Sequence, residues 1–116
     1  MSRIREFDEF REKMNEIILG EKNRAITRMF GVDTLSYQDG ALDRKTKEML
    51  GLSASMVLRC DDCILYHLRN CHELGVSRAE LFDIFSVSLT VGGTIVVPHL
   101  RRAVAVLEEL ENASRD

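Results

Sequence analysis

Cys60 and Cys63 stand three residues apart in "RCDDCILYH", and His67 follows four residues after the second. Residues of these types ligate metal, exchange thiols for disulfides, or simply pack in a core. Spacing separates the three. On a helix turning about 100° per residue, Cys60, Cys63, His67 and Cys71 fall at about 0°, −60°, −20° and +20°, and Leu74 continues that face at about −40°. A helix rising from Cys60 to Cys71 covers about 16 Å, whereas zinc ligands lie roughly 2 Å from their ion. Cys60 and Cys71 therefore do not close on one metal, and His72 and His99 fall into no recognisable ligand pair. The expectation is a site with no metal and no cofactor.

Dithiol chemistry suits the spacing better. Side chains three apart on a helix have β-carbons about 5–6 Å apart, within reach of a disulfide after modest adjustment. Helical side chains lean toward the N-terminus, so His67 can reach back to the Cys63 sulfur and act as its base. The free N–H groups of a helix N-terminus favour a thiolate, while the charges of Asp61 and Asp62 oppose it. No spacing rule ties Cys71 to the others, and it reads as a small buried apolar residue. A histidine in a proton relay needs an orienting partner. Glu48, in "KTKEMLGL", is the candidate, with a solvated charge run shared with Lys45 and Lys47 as the alternative.

The elements that must position these residues read as helices. The sequence holds one proline and seven glycines, and its apolar residues recur at three and four, an all-α pattern of about six helices. Ile4, Phe7, Phe10, Met14 and Ile17 stripe a first helix closed by Gly20. Ala25, Ile26, Met29 and Phe30 predict a short second helix ending at Gly31, and "DTLSYQDG" then reads as a connection. Asp43 can cap a third helix with Met49, Leu52, Met56 and Val57 inward. A fourth begins around Cys60 and ends at Gly75, and either a turn or a kink near Arg59 separates it from the third. Ser77 with Glu80 forms a capping box for a fifth helix carrying Leu81, Ile84, Phe85 and Leu89. Beyond "VGG", Leu100, Ala103, Val104, Leu107 and Leu110 mark the last helix, with Pro98 near its start and a frayed tail "ENASRD". "TIVV" is β-branched but has no second strand to pair with, and stays helical.

A chain of 116 residues, 45% hydrophobic, can bury one core, so residues 1–116 read as a single domain. The net charge of −3, with 30% charged residues of both signs, provides no dominant field to collect nucleic acid or anionic lipid. "MSRIREFDEF" lacks the apolar core of a secretory signal. The run from Ile84 to Pro98 is broken by Ser86, Ser88, Thr90, Gly92 and Gly93 and falls short of the roughly 20 residues that cross a bilayer. A cytoplasmic location is expected, where Cys-x-x-Cys means redox chemistry or metal more often than a structural disulfide.

Glu48, eleven intervening residues, "CDDC", the histidine four further on, the capped helix and "VGGTIVVPHLRRAV" together resemble the carboxymuconolactone decarboxylase and alkylhydroperoxidase D-like family over about residues 25–110. The resemblance implies an all-helical fold assembled as trimers or hexamers, with a redox site near subunit contacts. It implies peroxidase or thiol–disulfide activity in the branch that keeps both cysteines, on a hydroperoxide or a protein disulfide, with a thiol reductant to reset it. Cys63 would then be the attacking sulfur, Cys60 its resolving partner, and Glu48 with His67 the proton relay. The decarboxylase branch does not use the cysteine pair. The chain departs from the alkylhydroperoxidase D pattern at Asp62, where that pattern has a histidine. Two other readings stay open: a lyase or hydrolase on a small lactone acid using His67 and Glu48 alone, and a non-catalytic helical oligomeric binding module.

Overall fold

The computed structural model describes residues 2–115, which form six α-helices and no strand. They fall into two compact units, 1–44 and 45–116.

The first unit holds α1 (Arg3–Gly20) and α2 (Arg24–Ser36). Ser2 caps α1 by accepting the Arg5 N–H, and Asn23 caps α2 by accepting that of Ile26. Gly20 closes α1 as expected, and the expectation for Gly31 is corrected. The left-handed turn that follows α1 is taken by Lys22, at φ 59°. Gly31 lies inside α2, which runs on to Ser36 and absorbs the first half of "DTLSYQDG". A glycine stops a helix by adopting positive φ, and Gly31 does not. No side chain of α1 or α2 is buried.

Helix α3 (Arg44–Leu58) starts directly after Asp43, with the Arg44 N–H held by Asp39 Oδ1 at 2.7 Å. It is followed by α4 (Asp61–Glu73), α5 (Arg78–Gly92), a single 3-10 turn (Thr94–Val96) and α6 (Val97–Arg115). Pro98 sits in the first turn of α6, where its missing N–H costs no helical bond. α6 continues through most of the tail expected to fray, and "TIV" is the 3-10 turn rather than a strand. The core of the second unit is Leu52 and Met56 from α3, Leu68 and Cys71 from α4, Leu81 and Phe85 from α5, with Val96 and Leu107. The Ser77–Glu80 capping box forms as expected. Gly92 is required by contact: a β-carbon there would lie 2.6 Å from the Val96 side chain. Gly93 is required by conformation, at φ 84°.

Candidate active site

The junction between α3 and α4 is a turn, and Arg59 makes it. Its N–H bonds to the Met56 carbonyl and the Cys60 N–H to that of Ser55, the paired pattern that closes a helix around a left-handed residue. That residue is usually glycine. Here it is Arg59, at φ 59°. Such a conformation costs an L-residue about 1 kcal/mol, so the turn stores strain beside the dithiol. At the end of α4 the same bonding pattern closes around Gly75, with Val76 bonded to Cys71 and Gly75 to His72.

Because the chain turns at Arg59, Cys60 lies off the helix: it is the extended N-cap of α4, and its sulfur accepts the Cys63 N–H at 3.4 Å. The reading of Cys60, Cys63, His67 and Cys71 as one helical stripe thus holds for the last three. The two thiols still meet, now across the N-terminal turn, where the helix field favours negative charge. Cys60 is half-buried and Cys63 exposed. Burial, the hydrogen bond with Cys60, and the charges of Cys60 and Asp62 push the Cys63 thiol up to about 11. Cys71 is fully buried in the core, and desolvation together with the charge of Glu48 pushes it up to about 12. It is the small buried residue expected from the sequence.

Glu48 turns inward. It is 2% exposed, and its Oε2 lies 2.7 Å from His67 Nδ1, with His67 itself 8% exposed. A carboxylate only accepts, so Nδ1 carries the shared hydrogen. The edge of the Tyr66 ring packs on the imidazole at 5.2 Å. One residue of the site went unread in the sequence: buried Asn70, whose Nδ2 donates to Glu48 Oε1 at 3.2 Å. Its only sequence signal was its place three residues after His67, on the same helical face. Together His67 and Asn70 engage both oxygens of a carboxylate that would otherwise be costly to bury.

Asp61 and Asp62 differ sharply. Asp61, in the first turn of α4, reaches α6: Oδ1 lies 2.7 Å from His99 Nδ1, and Oδ2 accepts from Arg102 Nη1 at 3.4 Å. His99, which falls into no ligand pair by spacing, and Arg102 thus reach the N-terminal end of α4 from α6. Among the described residues, no three His, Cys, Asp or Glu side chains converge to hold a metal. A groove of about 450 Å³ lined by Thr46, Met49, Leu50, Ile84 and Val87, with Glu80 and Asp83 among its polar residues, shares no residue with the dyad or the dithiol. No described helix is long and apolar enough to cross a membrane.

Beyond the site, most of the chain also matches a known group of proteins. Residues 23–109 match the model of the carboxymuconolactone decarboxylase family. The chain belongs to that family. Among solved structures it resembles TM1620 of Thermotoga maritima at 49% identity and a TM-score of 0.92, over 95% of this chain and 96% of the other. A second structure of TM1620, at 48% identity and a TM-score of 0.91 over 95% and 93%, describes it as a family member for which a part in the antioxidative response has been suggested. A family protein of Legionella pneumophila, lpg0406, shares the fold at 24% identity and a TM-score of 0.72, over 90% and 96% of the two chains. Uncharacterized protein 4 in the cox locus of Paracoccus denitrificans is 26% identical over 99 residues, 82% of this chain and 89% of that one.

Proposed function

We propose that this family member is a cofactor-independent dithiol oxidoreductase that reduces a hydroperoxide or a partner protein's disulfide. Cys63 is the attacking sulfur, Cys60 the resolving one, and His67 with Glu48 the proton relay. One observation carries the reading: the buried 2.7 Å His67–Glu48 pair stands one helical turn beyond an exposed thiol that is itself adjacent to a second thiol. The antioxidative role suggested for TM1620 supports the same chemistry.

Cys63, pushed up to about 11, is a thiol at neutral pH. The thiolate is scarce before reaction, so the proton must be removed as the sulfur attacks. His67 takes that proton, and Glu48 stabilises the imidazolium. The sulfur bonds to the outer oxygen of the hydroperoxide, the O–O bond breaks, and the alkoxide leaves with the proton returned by His67. Cys63 is now a sulfenic acid. Cys60 attacks its sulfur and expels hydroxide, which leaves as water with the Cys60 proton, closing a disulfide. Two electrons from an external thiol reductant reopen it. With a disulfide substrate the first product is a mixed disulfide, resolved in the same way.

The test is peroxide consumption by reduced protein with free thiols counted in parallel. Wild type is expected to lose two thiols per peroxide, and Cys63→Ser and Cys60→Ser to lose turnover. Equal consumption by either variant and wild type would refute the mechanism. The relay is complete without the cysteines, which favours one second reading, a lyase or hydrolase on a small lactone acid. Lactone turnover by a Cys60→Ser, Cys63→Ser double variant would establish it in place of the first.

A further inference from the structure

Two aspartates inside the Cys-x-x-Cys should make it a poor thiolate site, yet their surroundings differ. Asp62 is among the groups that push Cys63 up, and Asp61 is not. Asp61 instead spends both carboxylate oxygens on α6, on His99 at 2.7 Å and on Arg102 at 3.4 Å, residues 38 and 41 positions away. Local sequence cannot supply such partners. The His99 side chain is 18% exposed, against 57% for Arg102, so the shorter bond is also the better sheltered one. Guanidinium is charged at every working pH, and a hydrogen-bonded, ion-paired carboxylate projects less field onto its neighbours than a free one.

We propose that His99, assisted by Arg102, is a positioning residue for the dithiol: it draws Asp61 onto α6 and so keeps one of the two negative charges in "CDDC" from opposing the reactive thiolate. The inference rests on the dithiol reading but not on any particular oxidant. Along the chain Arg59 precedes the thiols, Asp61 and Asp62 lie between them and His67 follows one turn on, while His99 and Arg102 reach Asp61 from α6. Of these, Asp61 is the charge that α6 draws away. Oxidation needs no step beyond those already given.

The experiment is alkylation of fully reduced, full-length protein by iodoacetamide, with modification of Cys63 resolved by mass spectrometry across pH 6–10. Alkylation needs neither peroxide nor reductant, so a failed peroxidase assay leaves it intact. Asp62→Asn is expected to speed Cys63 alkylation at pH 7 about threefold or more, and Asp61→Asn alone to leave it within about twofold, because that charge is already engaged. His99→Ala should slow it and move the profile to higher pH. Adding Asp61→Asn to His99→Ala should restore the wild-type profile, which no loss of packing could do. An Asp61→Asn protein that reacts as fast as Asp62→Asn overturns the proposal, and so does a His99→Ala profile that is unchanged or not rescued. Should His99→Ala fail to fold, the comparison of the two asparagine variants decides the matter alone.

Discussion

At the scale of single residues, the site divides three thiols into two that meet and one that is locked away. Cys71, fully buried and beside the charge of Glu48, makes the fold itself sensitive to alkali. Its thiol rises from 9.0 unfolded to about 12 folded, so the neutral form is favoured by folding. That stability is present in full below pH 9 and is lost as pH climbs toward 12, by up to about 4 kcal/mol. Urea midpoints measured from pH 8 to 11 should fall for wild type and fall less steeply for Cys71→Ala, whatever the cavity costs at neutral pH. Glu48→Gln removes the charge that supports the His67 imidazolium. Its peroxide consumption at pH 7 should drop about tenfold or more while the disulfide still forms slowly, and an unchanged pH–rate profile for thiol alkylation would take Glu48 out of the relay. Glu48 and His67 were legible as a pair because a charged residue at that distance from "CDDC" fits a family order. Asn70 was not, since a buried amide three residues past a histidine resembles any polar position until its partner is seen.

At the scale of elements, helix identities were legible and several helix ends were not. The capping box at Ser77 is written in two side chains and was found. The end of α2 was misplaced because Gly31 offers a left-handed conformation that the chain does not use. The turn at Arg59 was left undecided for the opposite reason, since its left-handed residue is not a glycine. From this follows an expectation for the turn. Arg59→Gly removes the strain but gives the unfolded chain more freedom, so it should stabilise the protein by no more than about 1 kcal/mol, seen as a small rise in melting temperature. Arg59→Val, β-branched and intolerant of positive φ, should lower it by more than that and slow peroxide consumption by displacing Cys60. A Val variant as stable and active as wild type would show that the turn bears no strain.

For the molecule as a whole, residues 1–44 pose a problem of cover. α1 and α2 bury no side chain, and Phe10, Met29 and Leu35 are each about two-thirds exposed. In the other unit Leu50, Val87 and Val91 are also exposed. Isolated helices of this length are marginal in water, and apolar surface on this scale marks an interaction site. We propose that copies of the chain cover one another, as the trimers or hexamers implied by the family resemblance would. Sedimentation equilibrium should give a mass several times that of the chain, and Met29→Glu with Leu35→Glu should shift it toward monomer, with part of the helicity lost. A wild-type monomer that is fully helical at micromolar concentration would rule this out. The sequence showed the apolar stripes of both helices but not what covers them, because periodicity gives a face its direction without naming its partner.

The turn at Arg59 also sets a counting rule. Glu48 points at His67 only because the stretch of α3 from Glu48 to that turn has a fixed number of residues, and Cys60 caps α4 only because the turn is one residue long. Adding or deleting a single residue between Glu48 and Arg59 would rotate Glu48 by about 100° about its helix, out of the core and away from the imidazole. The eleven residues between Glu48 and Cys60 thus act as a gauge rather than a linker. A homologue with ten or twelve would keep Glu48, His67 and both cysteines and still lose the Glu48–His67 hydrogen bond.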